Sequence, residues 1–500
     1  MFFTTMKKRE VVIIGLLFIA VFLLRIYFAF KNPHFSYDSY FDFRIIEHIA
    51  ETGKLLTFDP LAYGGRPVIV LPLFYYLLGL LAWLFPLQLV LKVAPQLFLS
   101  FIPVIVFLIV GKITNESNAA FFSALLSVFV PVIFVDTLYS LSPITLAIPL
   151  LFFILFIFLH IEKETSVLFF VLVITALSLI HPSGIILLIA FLGYLLVSMI
   201  EKLKLEKAEV ELIFFSIFVF LWLMFIFYKR AFLFHGLALL QQNIPQEIVS
   251  RYFTHISFTG ALVQIGLLPF FGGVFAIYKY LFNIKNKSLY MYISLAISVT
   301  LLLWFRLIQP SLGFIFLSVC LCILSGPAYV FLIRYFKKTR ISHFAPFFTL
   351  VIWLLIIPLM VIPTLYLAAQ KGSLSPPVYD AMIWLQTHTP EDSVVLAAPH
   401  EGHALAALSD RKTVIDDYFL LITDAEERLN DVTRAFTTPF ATEAAKLFGK
   451  YDVDYVLFSK EAKAAYSITY LAYKNEDCMN EVYNQNGVVI FNTRCRIKIT

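Results

Sequence analysis

Long apolar runs separated by short polar segments occupy the first three quarters of the chain. Eleven runs have the length of a membrane-crossing helix, about 17–25 residues. They are Val11–Phe30, 89–111, 119–137, 144–160, 165–180, 183–200, 211–228, 258–278, 289–305, 310–333 and 345–368. The pattern predicts a polytopic α-helical membrane protein with about eleven spans, or up to thirteen if some helices are split. Because the first run lacks a small-residue cleavage site, we expect an uncleaved anchor.

A further apolar run, Val68–Phe85, is separated from the next by only three residues. The positive-inside rule decides whether it crosses. If it does not cross, the short cytoplasmic loops hold 15 Lys and Arg, whereas the outer loops after residue 89 hold only four. If it crosses, this imbalance reverses. We therefore predict a re-entrant or interfacial element, a cytoplasmic N-terminus and an extracytoplasmic C-terminal segment in a multi-pass cell-membrane protein.

Composition and charge divide the chain into two parts. Hydrophobic residues make up 60% and charged residues 14% of the sequence, which excludes an ordinary soluble enzyme, a disordered chain and a nucleic-acid partner. Residues 1–369 hold 25 Lys/Arg and 15 Asp/Glu, a balance of +10, which suits membrane lipid headgroups. Residues 370–500 hold 13 Lys/Arg and 18 Asp/Glu, a balance of −5. We predict a membrane domain over 1–369 and a polar domain over 370–500.

The polar part alternates helical and strand patterns, which predicts an α/β domain. Helices are expected at 380–389, 423–436 and 441–450, strands at 394–398, 413–415 and 453–458, and a hairpin at 482–491 around Asn486-Gly487. Cys478 and Cys495 flank this hairpin and either form a disulfide, if the domain is extracytoplasmic, or remain free thiols.

Candidate carboxylates lie in the first two outer loops. Asp38 and Asp42 are four residues apart, so on a helix they share one face and could bind a divalent cation. The alternative is a helix N-terminal signal with an Asp–Arg pair to Arg44. Asp136 is the single acid of the second outer loop, where it is either a metal ligand or a surface cap.

Further candidates lie in the third outer loop, at the ends of spans and in the polar domain. Glu247 is the only acid of the long loop 229–257, and loops of that length are typically lids or binding loops. Arg306 and Lys92 stand near the outer ends of spans, where they meet an anionic phosphate or snorkel. His400 and Glu401 follow the first predicted strand, either as ligands or within a polar loop.

Several of these segments resemble the catalytic subunit of oligosaccharyltransferase, in the archaeal and bacterial single-chain form within the C-type membrane glycosyltransferases. Asp38-Ser39-Tyr40-Phe41-Asp42-Phe43-Arg44 is similar to the family's Asp-Pro-Tyr-Phe-Asn-Tyr-Arg pattern. The similarity continues through 57–67, Gln246-Glu247, Arg306 and 408–416. Two departures mark a divergent member. Of the Trp-Trp-Asp-Tyr-Gly signature only Gly402 is retained, and the paired acids expected near 142–144 are missing.

The resemblance implies transfer of a sugar or oligosaccharide from a polyprenyl-phosphate or polyprenyl-pyrophosphate donor, on the outer face of the membrane, to a protein or glycolipid. It implies Asp38, Asp42 and Glu247 as catalytic residues and Mn²⁺ or Mg²⁺ held by Asp38, Asp136 and Glu247. The expected substrate-binding residues are Arg306, Arg44, His400, Glu401 and Lys92. Two alternatives stay open: an oligosaccharyltransferase that glycosylates Asn through a divergent acceptor site, and a non-catalytic relative that serves as a binding or assembly protein.

Overall fold

Helices occupy every predicted apolar run in the computed structural model. The structure describes residues 8–162, 164–236, 239, 243–246, 248–249, 253, 257–340, 342–474 and 477–497. In the apolar part the helices are α1 Lys8–Ala29, α2 Ser39–Thr52, α3 Pro72–Ala82, α4 Leu87–Leu99, α5 Phe101–Thr114, α6 Ser117–Val128, α7 Pro131–Asp136, α8 Ile144–Phe158, α9 Glu164–Ser178, α10 Gly184–Ile200, α11 Lys207–His235, α12 Phe258–Ile265, α13 Leu267–Phe282, α14 Lys287–Trp304, α15 Pro310–Lys338, α16 Ala345–Ile356 and α17 Ile362–Gln370.

Not all of these helices are long enough to cross a bilayer. Among the described residues, six pass by length and composition, and a seventh if α12 and α13, bent by 93°, are one span. Five more apolar helices are shorter, with 10–17 residues. The run 119–137 shows the physical cause, since it breaks before Pro131, which begins a new helix. The predicted number of spans therefore stays a prediction.

The run predicted not to cross is the short helix α3. Its 11 residues extend about 16 Å, well short of the roughly 30 Å hydrocarbon core. It packs closely on α2, because a Cβ at Gly79 would lie 2.5 Å from Cγ2 of Ile49. The indole N–H of Trp83 donates to the carbonyl of Ala50 at 2.8 Å. α3 thus supports the helix that begins directly after Asp38.

The polar part contains a five-stranded mixed sheet with the order β4-β3-β5-β7-β6. The strands are β3 Val394–Leu396, β4 Lys412–Thr413, β5 Val453–Phe458, β6 Met479–Gln485 and β7 Val488–Thr493. The first three are parallel and the last two antiparallel. Its helices are α18 Pro376–His388, α19 Gly402–Ser409, α20 Ala425–Thr437, α21 Ala441–Lys450 and α22 Lys460–Tyr466.

Most predicted elements of the polar part are present, but one region differs. The hairpin turns at Asn486 and Gly487, whose φ angles of 51° and 85° suit this dipeptide. The segment 399–403, expected as a polar loop, instead forms a 3₁₀ turn at Pro399–Glu401 and the start of α19. Glu401 favours the turn because its carboxylate accepts the Ala398 N–H at 3.3 Å.

The first outer loop extends the edge of this sheet. Within the loop, β1 Phe58–Asp59 pairs antiparallel with β2 Arg66–Pro67. Between them the chain runs beside β4, where Thr413 accepts the Tyr63 N–H at 3.0 Å and donates to the Leu61 carbonyl at 2.9 Å. The membrane part and the polar part therefore share main-chain hydrogen bonds.

Cys478 and Cys495 form a disulfide that staples the terminal hairpin. They are 17 residues apart, and closing a loop of that size stabilises a fold by about 3 kcal/mol. We expect Cys478→Ser to speed amide exchange across the hairpin, measured by hydrogen–deuterium exchange. Wild-type protein in reductant should behave like the variant. Unchanged exchange in both would show that the bridge does not hold the hairpin.

Candidate active site

A cavity of about 570 Å³ lies where the first two outer loops meet the polar part. A second cavity of about 530 Å³ adjoins it, and Asp38, Asp136 and His181 line both. Asp42, Asp417 and His403 line the first cavity, and Arg306 lines the second. These groups come from segments far apart in the chain, so the fold alone brings them together.

Asp38 presents a free carboxylate to this space. It precedes α2 but makes no capping hydrogen bond, so the helix-signal alternative does not account for its side chain. The backbone around it is fixed from the second outer loop. The Leu141 N–H donates to Oγ of Ser39 at 2.9 Å, and the Ser36 N–H donates to the Tyr139 carbonyl at 3.0 Å. The second outer loop thus holds the backbone beside Asp38 in place.

Asp42 lies one turn further along α2 and is buried. The Tyr75 hydroxyl donates to its Oδ1 at 2.5 Å. Burial raises the pKa of Asp42 to about 7, and the Asp38 carboxylate pushes in the same direction, while the Tyr75 hydrogen bond opposes both. Asp42 is therefore poised to hold or release a proton near neutral pH.

Asp136 ends α7 and lines both cavities. The Lys371 ammonium lies 3.1 Å from its Oδ1, and both side chains are about one-third exposed. The pair joins the second outer loop to the end of the last apolar helix. Asp136 is therefore accessible from the cavities but shares its charge with a lysine.

Arg306 lies in the turn between α14 and α15, where its φ is 56°. Its guanidinium lies over the Phe253 ring at 5.4 Å from the centroid. Since the adjoining cavity is lined largely by apolar side chains around this arginine, an anionic group attached to a hydrocarbon chain would suit it.

Among the described residues, the other predicted ones do not line these cavities. Arg44 instead binds Asp59 through two hydrogen bonds of 2.8 and 3.3 Å, so the predicted Asp–Arg pair exists with a different acid. The Lys92 ammonium donates to main-chain carbonyls, including Ala29 at 3.3 Å. His400 packs on Tyr37, with ring centroids 5.6 Å apart.

Glu401 and Glu247 complete the set of predicted residues. Glu401 is fully buried, and burial raises its pKa to about 8, which fits a structural turn residue rather than a contact to substrate. Glu247 lies outside the described residues. Its neighbour region does meet the site, because the Asn243 side-chain amide donates to the Phe419 and Ile422 carbonyls at 3.0 and 3.1 Å.

Sequence reasoning missed Asp417 and Tyr418 of the polar part, whereas His403 belongs to the segment 399–403 that the sequence marked as a ligand site or a polar loop. Asp417, Tyr418 and His403 line the first cavity. The available signal was Asp416-Asp417 directly after a short strand, at the end where parallel strands of α/β sheets place functional loops. His181 was also missed. It stands in a His-Pro-Ser segment between two apolar runs, and its Nδ1 accepts the Ser183 N–H at 3.0 Å.

A buried ion network fixes the polar part against the first loop. Arg66 binds both carboxylate oxygens of Asp416 and also Asp59 at 3.3 Å. Burial alone would raise the pKa of Asp416, but the Arg66 guanidinium holds it at about 2. The Phe41 ring stacks on Tyr418 at 4.9 Å beside this network. These contacts set where Asp417 and His403 face the cavity.

The donor set fits a hard divalent cation in part. Carboxylate oxygens are its preferred ligands, and Asp38 offers a free one. Within the described ranges, however, no three His, Cys, Asp or Glu side chains are grouped closely enough to hold a metal ion. A cation at Asp38 would therefore need further oxygens from water and a phosphate, as Mg²⁺ commonly does.

The sequence and the structure were compared with known proteins. No protein-family model matches the sequence, and no curated protein matches it. The structure matches the Archaeoglobus fulgidus oligosaccharyltransferase tethered to an acceptor peptide, with a TM-score of 0.68 and 16% identity over 91% of this chain and 70% of that chain. The chain shares its fold with this oligosaccharyltransferase. This confirms, for the fold, the resemblance found in the sequence.

Two further structures share the fold and contain lipid phosphates. The archaeal oligosaccharyltransferase AglB from A. fulgidus, in complex with an inhibitory peptide and a dolichol-phosphate, gives a TM-score of 0.65 at 16% identity over 96% and 74% of the two chains. ArnT from Cupriavidus metallidurans, bound to undecaprenyl phosphate, gives a TM-score of 0.57 at 14% identity, over 96% of this chain and 97% of that chain. Proteins of different length thus share this fold.

The buried carboxyl of Asp417 is expected to make the stability of the fold depend on pH. Burial, with Asp38 and Asp416 nearby, raises the pKa of Asp417 to about 7. A raised carboxyl pKa favours the folded state below about pH 4, and this benefit is lost as the pH rises through about 7. We expect Asp417→Asn to raise the unfolding temperature at pH 8 but to change it little at pH 5. Equal shifts at both pH values would contradict this.

Proposed function

We propose that this protein is a membrane glycosyltransferase that moves a sugar or oligosaccharide from a polyprenyl-phosphate or polyprenyl-pyrophosphate donor to an acceptor on the outer face of the membrane. The observation that carries the proposal is the free Asp38 carboxylate, which faces a cavity with Asp42, Asp136 and Asp417. The fold is shared with two proteins whose structures contain a lipid phosphate, which supports a lipid-linked donor.

The two cavities suggest how the substrates are arranged. The cavity at Arg306 combines many apolar side chains with the Arg306 guanidinium and the carboxylates of Asp38 and Asp136, and the arginine among apolar groups suits the phosphate end of a polyprenyl chain. The cavity at Asp42 and Asp417 is more polar and opens toward the polar part, which suits the acceptor. Asp38 lines both, so it stands where the donor and the acceptor would meet.

The residues supply charge stabilisation and positioning. Arg306 would bind the donor phosphate, and Asp38 would stand beside the bond that breaks. Asp38, with water and the donor phosphate as further ligands, would hold Mn²⁺ or Mg²⁺, and such an ion would supply neutralisation of the charge on the leaving phosphate. Preorganised groups of this kind usually make the largest single contribution to rate.

The proposal places the C-terminal domain, residues 370–500, outside the cytoplasm. The disulfide between Cys478 and Cys495 supports this, because such bridges persist mainly in oxidising compartments. A C-terminal tag should be digested by protease added to intact cells, whereas an N-terminal tag should be protected. A protected C-terminal tag would put the cavity on the wrong side of the membrane, and the proposal would fail.

The test of activity uses membranes from cells that express the full chain. Radiolabelled sugars linked to dolichyl or undecaprenyl phosphate are added with Mn²⁺, with and without an Asn-Val-Thr peptide. Label in protein or glycolipid supports the proposal. Label in the peptide identifies an oligosaccharyltransferase with a divergent acceptor site. No transfer from any lipid donor, with the protein folded, would favour the non-catalytic relative.

A further inference from the structure

His403 lies at the start of α19 with its ring against the first cavity. The side chain is only 5% exposed, and its Nδ1 has no hydrogen-bond partner within the described structure. The nearest acid is Asp416, whose Oδ2 lies 3.5 Å from that nitrogen. Since Nδ1 is enclosed on the side of Asp416, the opposite edge of the ring, which carries Nε2, is the polar edge left toward the cavity.

Asp416 is held firmly for this contact. Both of its oxygens accept from Arg66, and Oδ1 also accepts the Tyr418 N–H at 3.0 Å. Gly402 allows the close approach, because a Cβ there would lie 2.6 Å from Cβ of Asp416 and 2.6 Å from the Ile415 carbonyl oxygen. The acid, the imidazole and the cavity are thus aligned by the backbone itself.

We propose that His403, oriented by Asp416, is the general base that takes a proton from the acceptor, and that the acceptor presents a hydroxyl group. This inference rests on the proposed glycosyl transfer and names its acceptor-side chemistry. The Asp416 carboxylate, 3.5 Å from Nδ1, favours the tautomer that carries its proton on Nδ1 and keeps Nε2 as the proton acceptor. An imidazole beside an acid in this way is a recurrent arrangement for activating a hydroxyl.

The step balances without a further reactant. The acceptor oxygen attacks the anomeric carbon of the sugar and forms the new C–O bond. The bond from that carbon to the phosphate oxygen breaks, and the lipid phosphate leaves with the electron pair. The hydroxyl proton passes to Nε2 of His403, and the resulting imidazolium is stabilised by Asp416.

The surrounding charges suit a ring that starts neutral and becomes positive. Burial lowers the pKa of His403, and Arg66 and Arg44 push the same way, which favours the neutral ring. Asp416 and Asp38 oppose this and would stabilise the imidazolium once it forms. Phe41 covers the ring at a centroid distance of 5.0 Å and limits its contact with water.

A hydroxyl suits this base better than a carboxamide. The lone pair of an amide nitrogen is delocalised into the carbonyl, so taking one proton does not by itself make it a good nucleophile. An alcohol oxygen keeps its lone pairs and gains directly from proton removal. The near loss of the Trp-Trp-Asp-Tyr-Gly signature around Gly402 is consistent with a changed acceptor.

The accessibility of Nε2 can be tested without any sugar. Diethyl pyrocarbonate reacts with unprotonated imidazole nitrogens, and mass spectrometry of the full-length protein in detergent locates the adducts. We expect His403 to be modified at pH 7, more slowly than the exposed His343. No adduct at His403 when His343 is fully modified would overturn the proposal.

The role in transfer is tested in the membrane assay with lipid-phosphate-linked sugars and Mn²⁺. His403→Gln should lower kcat by about 10²–10⁴-fold and leave KM for the lipid donor unchanged. Asp416→Asn should act in the same direction, and label in the product should be released by alkaline β-elimination, as expected for a hydroxyl linkage to Ser or Thr, or be found on a lipid hydroxyl. His343→Gln is the matched control and should behave as wild type.

The outcomes separate the two proposals. If wild type transfers sugar and His403→Gln does so with an unchanged kcat, His403 is not the general base, but the proposed function stands. A product that carries label only through an N-linkage would lead to the same conclusion. An absence of transfer by wild type would overturn the proposed function and the base with it. A lowered kcat in a correctly folded His403→Gln protein, with KM unchanged, supports both.

Discussion

Asp38→Asn is expected to reduce sugar transfer by at least about 10²-fold while the protein remains folded, because the variant keeps the shape of the side chain and removes its charge. The carboxylate faces both cavities and makes no capping hydrogen bond, so its loss breaks no contact that supports α2. Initial rates with lipid-linked sugars and Mn²⁺ measure the effect, and Mn²⁺ binding followed by electron paramagnetic resonance should weaken in parallel.

The matched control is Glu51→Gln. Glu51 is an exposed carboxylate near the other end of the same helix, and it lines neither cavity. It should keep the wild-type rate. If Asp38→Asn transfers sugar as fast as Glu51→Gln does, Asp38 is not part of the catalytic site, and the proposed function loses its main support.

Arg66→Met is expected to lower the free energy of unfolding by about 3–5 kcal/mol, since it leaves acids buried without their partner. Arg66 and Asp416 have side chains only 4% and 1% exposed, and Asp59 is also 1% exposed. Asp59 keeps Arg44, but Asp416 keeps only the Tyr418 N–H and the contact with His403. Thermal unfolding of the full chain in detergent at pH 7 measures the loss.

Lys412→Met is the control for this variant. Lys412 pairs with Asp392 at 3.1 Å, but Asp392 is 96% exposed, and exposed pairs contribute only about 0–1 kcal/mol. The two variants remove one basic partner each and differ in burial. Equal losses of stability would show that the buried network does not hold the first loop to the polar part.

The apolar pattern predicted the helices well because burial in lipid requires long runs that carry almost no charge. The same pattern could not predict where the helices break. Pro131 interrupts the apolar run 119–137 and begins a new helix there. Gly266, with a φ of 94°, separates two helices whose axes are bent by 93°. Such breaks depend on neighbouring helices that supply contacts to the freed backbone, and these are long-range properties of the fold.

The sequence pointed to residues that line the candidate cavities where a local feature carried the signal: the Asp38–Asp42 motif, the single acid Asp136 of the second outer loop, and Arg306 at the end of a span. Asp38 and Asp42 stand in a recognisable motif, and both line the cavity. Asp417 and His403 come from a different part of the chain and have no spacing relation to that motif. Arg44 was expected at the substrate, but its nearest acid is Asp59, 15 residues away across a turn. Pairings of this kind follow from packing, which a linear pattern does not contain.

The strand-like contact of Leu61 and Tyr63 with Thr413 matters for the design of fragments of this protein. It covers the outer edge of a sheet whose unpaired main-chain groups could otherwise pair with a strand of another molecule. Residues 370–500 produced as a separate fragment would expose that edge. A fragment or chimera intended to remain soluble should therefore carry residues 58–67 along with it.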